Sequence, residues 1–325
     1  MSGPTQKPHT TDTDRPAGFP PGSRGWCIRL ACELEATAAK PGNVHPGTAF
    51  ADLTHAELLA AGAAIAPAFD AAAGRRLGAT ILAAVSASRR VTRSNANLGI
   101  VLVAAPLAAV PDGEPPGPAA VARVLAGLVP DDAHDCWEAI KAARPGGMGT
   151  RDRWDIAGAP PEDLLAAMRS AAPHDQIARL WAQGYEPLFA GPVTDLEQEL
   201  LAGRDLGDAI VRAFLRQLAR EPDSLIARKH GPRAAERVSA RAAATLAVAP
   251  EDWPDATRAF ERDLLTGRGF GDLVVPEGGV RPGTINPGTT ADLVAAALYV
   301  LLVTGRLQEP AGPVPAVRSQ SPCDA

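Results

Sequence analysis

The stretch around which this sequence is organised runs from residue 31 to residue 54 and reads ACELEATAAKPGNVHPGTAFADLT. It begins as an Ala-rich helix, and Pro41-Gly42 ends that helix because proline cannot continue it and glycine supplies a positive φ. A lysine beside this helix end is favoured by the helix dipole even without a function. The stiff loop nevertheless holds four polar groups close together: the carboxylates of Glu35 and Asp52, the ammonium of Lys40 and the amide of Asn43.

Composition limits the class of protein. Apolar residues make up 46% of the 325 residues but aromatic residues only 4%, so the core consists mainly of Ala, Leu and Val, which favours helix over sheet. The net charge of −5 argues against a nucleic-acid partner bound by bulk charge. The sequence has no signal-peptide pattern and no apolar run that predicts a membrane span, so we expect a cytoplasmic protein. Packing of its Ala-rich helices against another subunit, as a homo-oligomer, stays open.

The cysteines do not indicate a metal site or a disulfide framework. No C-x-x-C pair occurs among the four, and no histidine lies at zinc-finger spacing. Cys27 and Cys32 fall in an apolar helical run, so we expect both to be buried thiols.

Hydrophobic periodicity predicts one all-α domain over residues 25–307, with disordered tails at 1–24 and 308–325. Thr54 and Glu57 form a capping box, and the apolar segment 98–110 is expected to be a central buried helix. A short extended piece is expected at 273–275. The predicted helices cover 26–39, 53–73, 77–91, 98–110, 119–128, 132–143, 162–170, 174–189, 194–201, 205–220, 223–229, 232–247, 254–266 and 291–304.

Three further loops carry more polar groups than a plain turn needs. They are RRVTRSNANLG at 89–99, DSLIARKHG at 223–231 and NPGTTADL at 286–293. Each has an ordinary explanation as a helix cap or as charge at a helix end. Amides and bare N–H groups beside arginines also suit a phosphate chain. The usual P-loop, GxSxG and HExxH signatures are missing from the sequence.

Taken together, these loops resemble the triphosphoribosyl-dephospho-coenzyme A synthase family. The resemblance covers residues 26–304, and the motifs occur in the family's order: Glu35-x4-KPGNVH, Asp52-Leu53-Thr54, Asn95-Ala96-Asn97-Leu98-Gly99, DSLIARKHG at 223–231 and NPGTTADL at 286–293. The glycine loop 146–149, with Asp152 and Asp155, resembles the variant found in archaeal and C1-metabolising members.

The resemblance implies a transferase with ATP and dephospho-coenzyme A as substrates. Adenine leaves C1′ of the ATP ribose and the 2′-hydroxyl of dephospho-coenzyme A attacks there, which gives a prosthetic-group precursor that keeps the triphosphate. A carboxylate stabilises the oxocarbenium charge, and a second group acts as general base for the hydroxyl. The triphosphate needs cations, and Mg²⁺ held by carboxylates beside Lys or Arg is expected.

The matching motifs imply a role for each site residue. Glu35 and Asp292 are the expected catalytic carboxylates, and the sequence leaves open which is the base. Asp52 and Asp223 are expected to face Mg²⁺. Arg228 and His230 are of second rank, and His45 is expected to be only a loop residue. The residues expected to bind phosphate or nucleotide are Lys40, Asn43, Arg93, Asn95, Asn97, Arg228 and Lys229.

Two other functions stay open at this point. The same loops would serve an ATP-dependent ribosyl or phosphoribosyl transferase with a different acceptor, such as the precursor of a C1-carrier cofactor. A helical binding protein that has lost catalysis would also keep the fold, but it predicts changes among the motif carboxylates and Lys40. All of these residues match the family pattern, which favours an enzyme.

Overall fold

The computed structural model describes residues 19–149, 153–268, 270 and 284–309. In these ranges the chain forms helices and no β-strand, which confirms the all-α prediction. The helices are α1 (Arg24–Thr37), α2 (His55–Asp70), α3 (Leu77–Val91), α4 (Leu98–Ala108), α5 (Pro118–Ala126), α6 (Pro130–Ala143), α7 (Leu164–Ala171), α8 (Gln176–Gln183), α9 (Glu186–Leu188), α10 (Thr194–Leu201), α11 (Leu206–Arg220), α12 (Ser224–His230), α13 (Pro232–Leu246), α14 (Trp253–Thr266) and α15 (Gly288–Val303).

Helix α15 lies at the centre of the fold. Its residues from Thr289 to Leu302 are buried, with Asp292 the exception, and it packs against α1, α4, α11 and α12. A helix that is apolar on all sides must be covered on all sides, and α4 is the second helix of this kind. None of the helices in the described ranges combines the length and the hydropathy that a membrane span requires.

A proline inside α4 leaves a carbonyl free to accept a hydrogen bond from α8. Pro106 has no N–H, so it cannot bond the carbonyl of Leu102 four residues earlier. The indole N–H of Trp181 on α8 donates to that carbonyl at 2.9 Å. The buried Tyr185 hydroxyl donates to the neighbouring carbonyl of Val103 at 3.0 Å. Both donors are thereby satisfied in the core, as buried polar groups must be.

Most helix boundaries agree with the sequence prediction to within two residues. Helix α2 ends at Asp70 and not at residue 73 as predicted, and two further helices differ. The bounds of α3 and the Thr54–Glu57 capping box are confirmed. The helix predicted over 174–189 is instead divided into α8 and α9, because Gly184 adopts a φ of +105° between them. The last helix begins at Gly288, and not at Ala291 as predicted, so the predicted cap Thr290 lies inside its first turn.

The predicted tails lie mostly outside the described residues. Residues 1–18 and 310–325 are outside the described ranges, and so is the extended piece predicted at 273–275. Phe19, which falls within the predicted tail 1–24, packs against the core. Three cysteines are buried: Cys27, Cys32 and Cys136.

Candidate active site

The C-terminal end of α1 buries an ion pair. Lys40 has no exposed surface, and its Nζ lies 2.9 Å from Glu35 Oε1. The same ammonium donates to the backbone carbonyls of Glu35 and of Ala38, so all three of its N–H groups have protein partners. Lys40 therefore caps the helix and forms an ion pair with Glu35. Its predicted contact with a phosphate stays a prediction, and this geometry does not favour it.

The turn after Lys40 packs against the segment that leads into α15. Gly42 has a φ of +78°, and a β-carbon there would lie 2.7 Å from the carbonyl oxygen of Ile285 and 3.0 Å from Pro287. Only glycine adopts this positive φ without strain and also leaves room for the Ile285 carbonyl and Pro287. Asn43 is buried, and its amide lies 3.4 Å from the Pro41 carbonyl. The KPGN turn and the segment that holds NPGTTADL are thus in contact.

Asp292 lies at the N-terminus of α4, close to Glu35. Its carboxylate rests on Gly99 and accepts the backbone N–H of Ile100. Burial raises the pKa of Asp292 well above its ordinary value, and repulsion from the carboxylates of Glu35 and Asp223 adds to the rise. The hydrogen bond from the Ile100 N–H acts in the opposite direction. The side chain keeps some exposure to solvent despite its depth. Glu35 and Asp292 thus form a pair of carboxylates in different electrostatic environments, which is typical of acid–base sites.

Asp223 joins two helix N-termini and is fully buried. Its Oδ1 caps α12 by accepting the N–H groups of Leu225 at 2.9 Å and Ile226 at 3.0 Å. Its Oδ2 accepts the N–H and the hydroxyl of Thr290 on α15, at 2.7 and 2.8 Å. Burial raises the pKa of Asp223, although these hydrogen bonds oppose the rise. The carboxylate therefore has four protein donors before any ligand arrives.

A second set of buried hydrogen bonds ties α8 to the same two helices. The Ser224 N–H donates to Gln176 Oε1 at 3.0 Å, and the Ser224 hydroxyl bonds Thr289 Oγ1 at 3.1 Å. Gln176 lies outside all the sequence motifs, and only its place before an apolar helix marks it in the sequence. The N-termini of α8, α12 and α15 therefore hold fixed positions around Asp292.

A cationic rim lies at the end of α12. Arg228 contacts Asp175 at 3.4 Å. Lys229 keeps solvent access, and desolvation, followed by the charge of Arg228, lowers its pKa, while Asp52 and Asp223 oppose the shift. These effects place Lys229 within the electrostatic range of both predicted metal ligands. A cation beside two carboxylates suits a triphosphate that arrives with Mg²⁺.

The glycine loop 146–149 packs on this rim. A β-carbon at Gly146 would lie 3.4 Å from Lys229 Cε, and one at Gly147 would lie 3.2 Å from Arg228 Cγ. The segment 89–99 is linked to the rim through exposed Asp52, whose charge acts on Lys229. The Ser94 hydroxyl donates to the backbone carbonyl of Asp52 and lies 3.3 Å from Asp52 Oδ2.

The three site residues predicted in the segment 89–99 differ in how far they are buried. Asn97 is buried at the start of α4. Asn95 is exposed, and its Oδ1 accepts the Leu98 N–H at 3.2 Å, as a helix cap would. The side chain of Arg93 is exposed, while its carbonyl accepts from Arg89. Of these three residues, Asn97 lies nearest in sequence to Gly99, the residue on which Asp292 rests.

Buried polar atoms without partners concentrate at these loops. Most buried polar atoms in folded proteins have a hydrogen-bond partner, so an orphaned one needs an explanation. Within the described residues, four of these atoms lie in or beside the motif loops: Asn97 Nδ2, Gln176 Nε2, Arg228 Nε and Asn286 Oδ1. A bound polar ligand would explain why they are left free.

Comparison with known proteins decides the family. The CitG family model, described as ATP:dephospho-CoA triphosphoribosyl transferase, matches residues 22–310. The chain belongs to this family. A solved structure of a candidate triphosphoribosyl-dephospho-coA synthase from Archaeoglobus fulgidus is 24% identical, covers 76% of this chain and 98% of its own, and has a TM-score of 0.53. That likeness concerns the fold. No curated protein matches the chain.

Membership in the CitG family makes the chain a transferase, and the family match includes all the loops described above. The structure brings Glu35, Lys40, Asp223 and Asp292 into one connected cluster, with Lys229 at its rim. The side chain of Arg93 has no contact that ties it to this cluster in the described residues. His230 is half-buried, and burial, followed by the charge of Lys229, lowers its pKa.

The two predicted Mg²⁺ ligands differ in how well they fit a metal. Within the described part of the chain, no group of three acidic, histidine or cysteine side chains is arranged to hold an ion. Asp52 is exposed beside the rim and fits a Mg²⁺ that shares its other ligands with phosphates and water. Asp223 does not fit without losing hydrogen bonds, because both of its oxygens are used. The metal roles of both stay predictions.

Proposed function

We propose that this chain transfers the 5-triphosphoribosyl group of ATP to the 2′-hydroxyl of 3′-dephospho-coenzyme A and releases adenine. The observation that supports the proposal best is the Glu35–Asp292 carboxylate pair, held among the motif loops of a chain that the CitG family model matches over residues 22–310. Glu35 is not needed as a helix cap, because Lys40 caps the end of α1. Asp292 accepts the Ile100 N–H in the first turn of α4.

The reaction needs one bond broken and one bond formed at C1′ of the ATP ribose. The C1′–N9 bond breaks and its electron pair leaves with adenine, while C1′ bonds to the acceptor 2′-oxygen. The hydroxyl proton passes to a base, and adenine takes up one proton, so charge and atoms balance. Positive charge develops on the ribose between these events, and a nearby carboxylate stabilises it.

The environments of the two carboxylates favour one division of roles. Glu35 is ion-paired with Lys40, so it is the fixed negative charge that faces the ribose. Asp292 has a pKa raised by burial and by its carboxylate neighbours, which makes it the stronger base for the 2′-hydroxyl proton. The single N–H bond from Ile100 orients it without using all of its lone pairs.

The unpaired polar atoms suit adenine and phosphate. Asn97 Nδ2 and Asn286 Oδ1 provide a free donor and a free acceptor. The adenine edge presents an amino donor and a ring-nitrogen acceptor, so the free acceptor suits the amino group and the free donor suits the ring nitrogen. Lys229 and Arg228 bind the triphosphate at the rim, and the Mg²⁺ that Asp52 is proposed to contact supplies further positive charge to it when bound.

The test is a product assay with purified protein, Mg²⁺ and ATP, with and without dephospho-coenzyme A, scored for free adenine. We expect release that depends on the acceptor. Glu35→Gln should lower the rate about 10²–10³-fold, because it removes a charge that stabilises the transition state. Glu33→Gln is the matched control on the same helix, since the Glu33 side chain is half-exposed and, in the described part of the chain, its ion pair is with Arg29, at 3.0 Å.

Two outcomes would contradict the proposal. Slow adenine release that is equal with and without dephospho-coenzyme A would keep the ribosyl chemistry but assign it a different acceptor. No adenine and no ATP binding by calorimetry would remove the catalytic function altogether.

A further inference from the structure

Helix α14 contributes a carboxylate to the loop that follows the KPGN turn. Glu261 on this helix has a side chain that is 21% exposed, and none of the sequence motifs includes it. Its Oε1 accepts from His45 Nε2 at 2.8 Å and from the Thr48 hydroxyl at 2.9 Å. One carboxylate oxygen thus accepts hydrogen bonds from two side chains of the same loop.

The loop itself is built to present these two donors. Backbone hydrogen bonds join His45 and Thr48 in both directions, at 3.0 and 2.9 Å. The Gly47 N–H donates to His45 Nδ1 at 3.1 Å, so the ring proton of the neutral imidazole is on Nε2 and points at Glu261. Burial alone would raise the pKa of Glu261, but the bonds from His45 and Thr48 outweigh it and the pKa is lowered. The acceptor is therefore a charged one, which strengthens both bonds.

The same helix also contacts the second half of the site, one turn further on. The Leu264 carbonyl accepts the Ile285 N–H at 2.8 Å. A β-carbon at Gly42 would lie 2.8 Å from Leu264 Cδ1, so the KPGN turn packs closely on this residue. Helix α14 thus contacts the loop after Lys40 and the segment that leads to Asp292.

We infer that Glu261 is a positioning residue of the transferase, which acts through His45 and Thr48 to hold the KPGN turn against the segment 284–288. The inference rests on the proposed function, because the turn matters only if ATP binds beside it. Glu261 itself touches no reacting atom. Its loss lets the 43–48 loop move, and displaced binding groups hold ATP less well, which lowers kcat/KM through KM.

The kinetic test compares three variants in the adenine-release assay. Glu261→Ala should raise KM for ATP about tenfold with kcat within about twofold, because the turn is misplaced while the carboxylate pair is intact. Glu261→Gln should restore most of the loss, since its amide oxygen can accept both hydrogen bonds. Asp263→Ala is the control on the same helix, because Asp263 ties α14 to Arg241 at 3.3 Å and does not contact the loop.

A double-mutant cycle identifies the route of the effect. Because Glu261 acts through His45, Glu261→Ala/His45→Ala should be little worse than Glu261→Ala alone. Additive losses would overturn the inference. An effect of Asp263→Ala as large as that of Glu261→Ala, or a failure of Glu261→Gln to rescue, would also overturn it, because general packing of α14 would then be the cause.

Hydrogen exchange separates this inference from the proposed function. Faster exchange of the Gly47 and Thr48 amides in Glu261→Ala, without ATP, is expected whatever reaction the chain catalyses. If the wild-type protein released no adenine while this exchange increased, the proposed function would fail and the loop contact would stand. Unchanged exchange in Glu261→Ala would refute the contact, even with an active wild-type enzyme.

Discussion

The carboxylate of Asp292 occupies the space that a side chain at residue 99 would need. A β-carbon on Gly99 would lie 1.9 Å from Asp292 Oδ2 and 2.4 Å from its Cγ. The glycine of the NANLG motif is therefore required by an atom of the NPGTTADL motif, and two segments far apart in sequence are matched at one contact.

Gly99→Ala should displace Asp292 and lower kcat for adenine release about 100-fold. The free energy of unfolding should fall by about 1–3 kcal/mol, because the extra methyl overpacks a filled site. Urea unfolding and steady-state kinetics measure the two effects. Gly117→Ala is the control, since a β-carbon there has no atom within 4 Å. Equal effects of the two substitutions would contradict the contact.

Lys40→Met should destabilise the fold by about 3–5 kcal/mol, because Glu35 would be left as a buried charge without its partner. Urea unfolding at neutral pH measures this. The double variant Lys40→Met/Glu35→Gln should recover part of the loss. A Lys40→Met protein of full stability that had lost only ATP binding would return Lys40 to the phosphate role predicted from the sequence.

Asp223→Asn should lower the free energy of unfolding by about 1–3 kcal/mol, because an amide NH₂ would face the donors of Thr290. Thermal and urea unfolding without Mg²⁺ give the measurement. If stability were unchanged and only the Mg²⁺ requirement of the reaction shifted, Asp223 would be a metal ligand after all.

Asp292→Asn should abolish transfer and stabilise the protein at neutral pH. The pKa of Asp292 is raised in the folded state, so the folded protein binds more protons than the unfolded one and stability falls as pH rises above about 3.9. The Asp292→Asn variant does not lose stability in this way, because an amide does not titrate. Its advantage in urea unfolding should therefore grow from acidic to neutral pH, and an advantage that shrinks over that range would contradict the raised pKa.

Helices could be predicted from the sequence because their signals are local. The capping box at Thr54 and the apolar periodicity of α3 depend on residues within a few turns. The division of 174–189 into two helices was missed, because Gly184 is a weak signal inside an apolar pattern and the surrounding packing decided its conformation.

The candidate site was predictable as a set of motifs but not as a set of roles. Which loops meet follows from their joint resemblance to one family. The sequence places Lys40 close to Glu35, but it does not show that Glu35 and two helix carbonyls use all three donors of the lysine. The saturation of Asp223 depends on Thr290, a tertiary contact that no spacing encodes. Glu261 and Gln176 were missed for the same reason, since each lies outside the motifs and acts on a distant segment.

The position of α15 in the chain has a consequence for synthesis on the ribosome. The helix with the most buried residues in the described fold is also its last, so α1, α4 and α11 are made before the surface that covers them exists. Nascent chains that expose such apolar faces are prone to aggregate and are held by chaperones. The protein therefore completes its core and its carboxylate cluster in one late step, when the segment from Gly288 to Val303 leaves the exit tunnel.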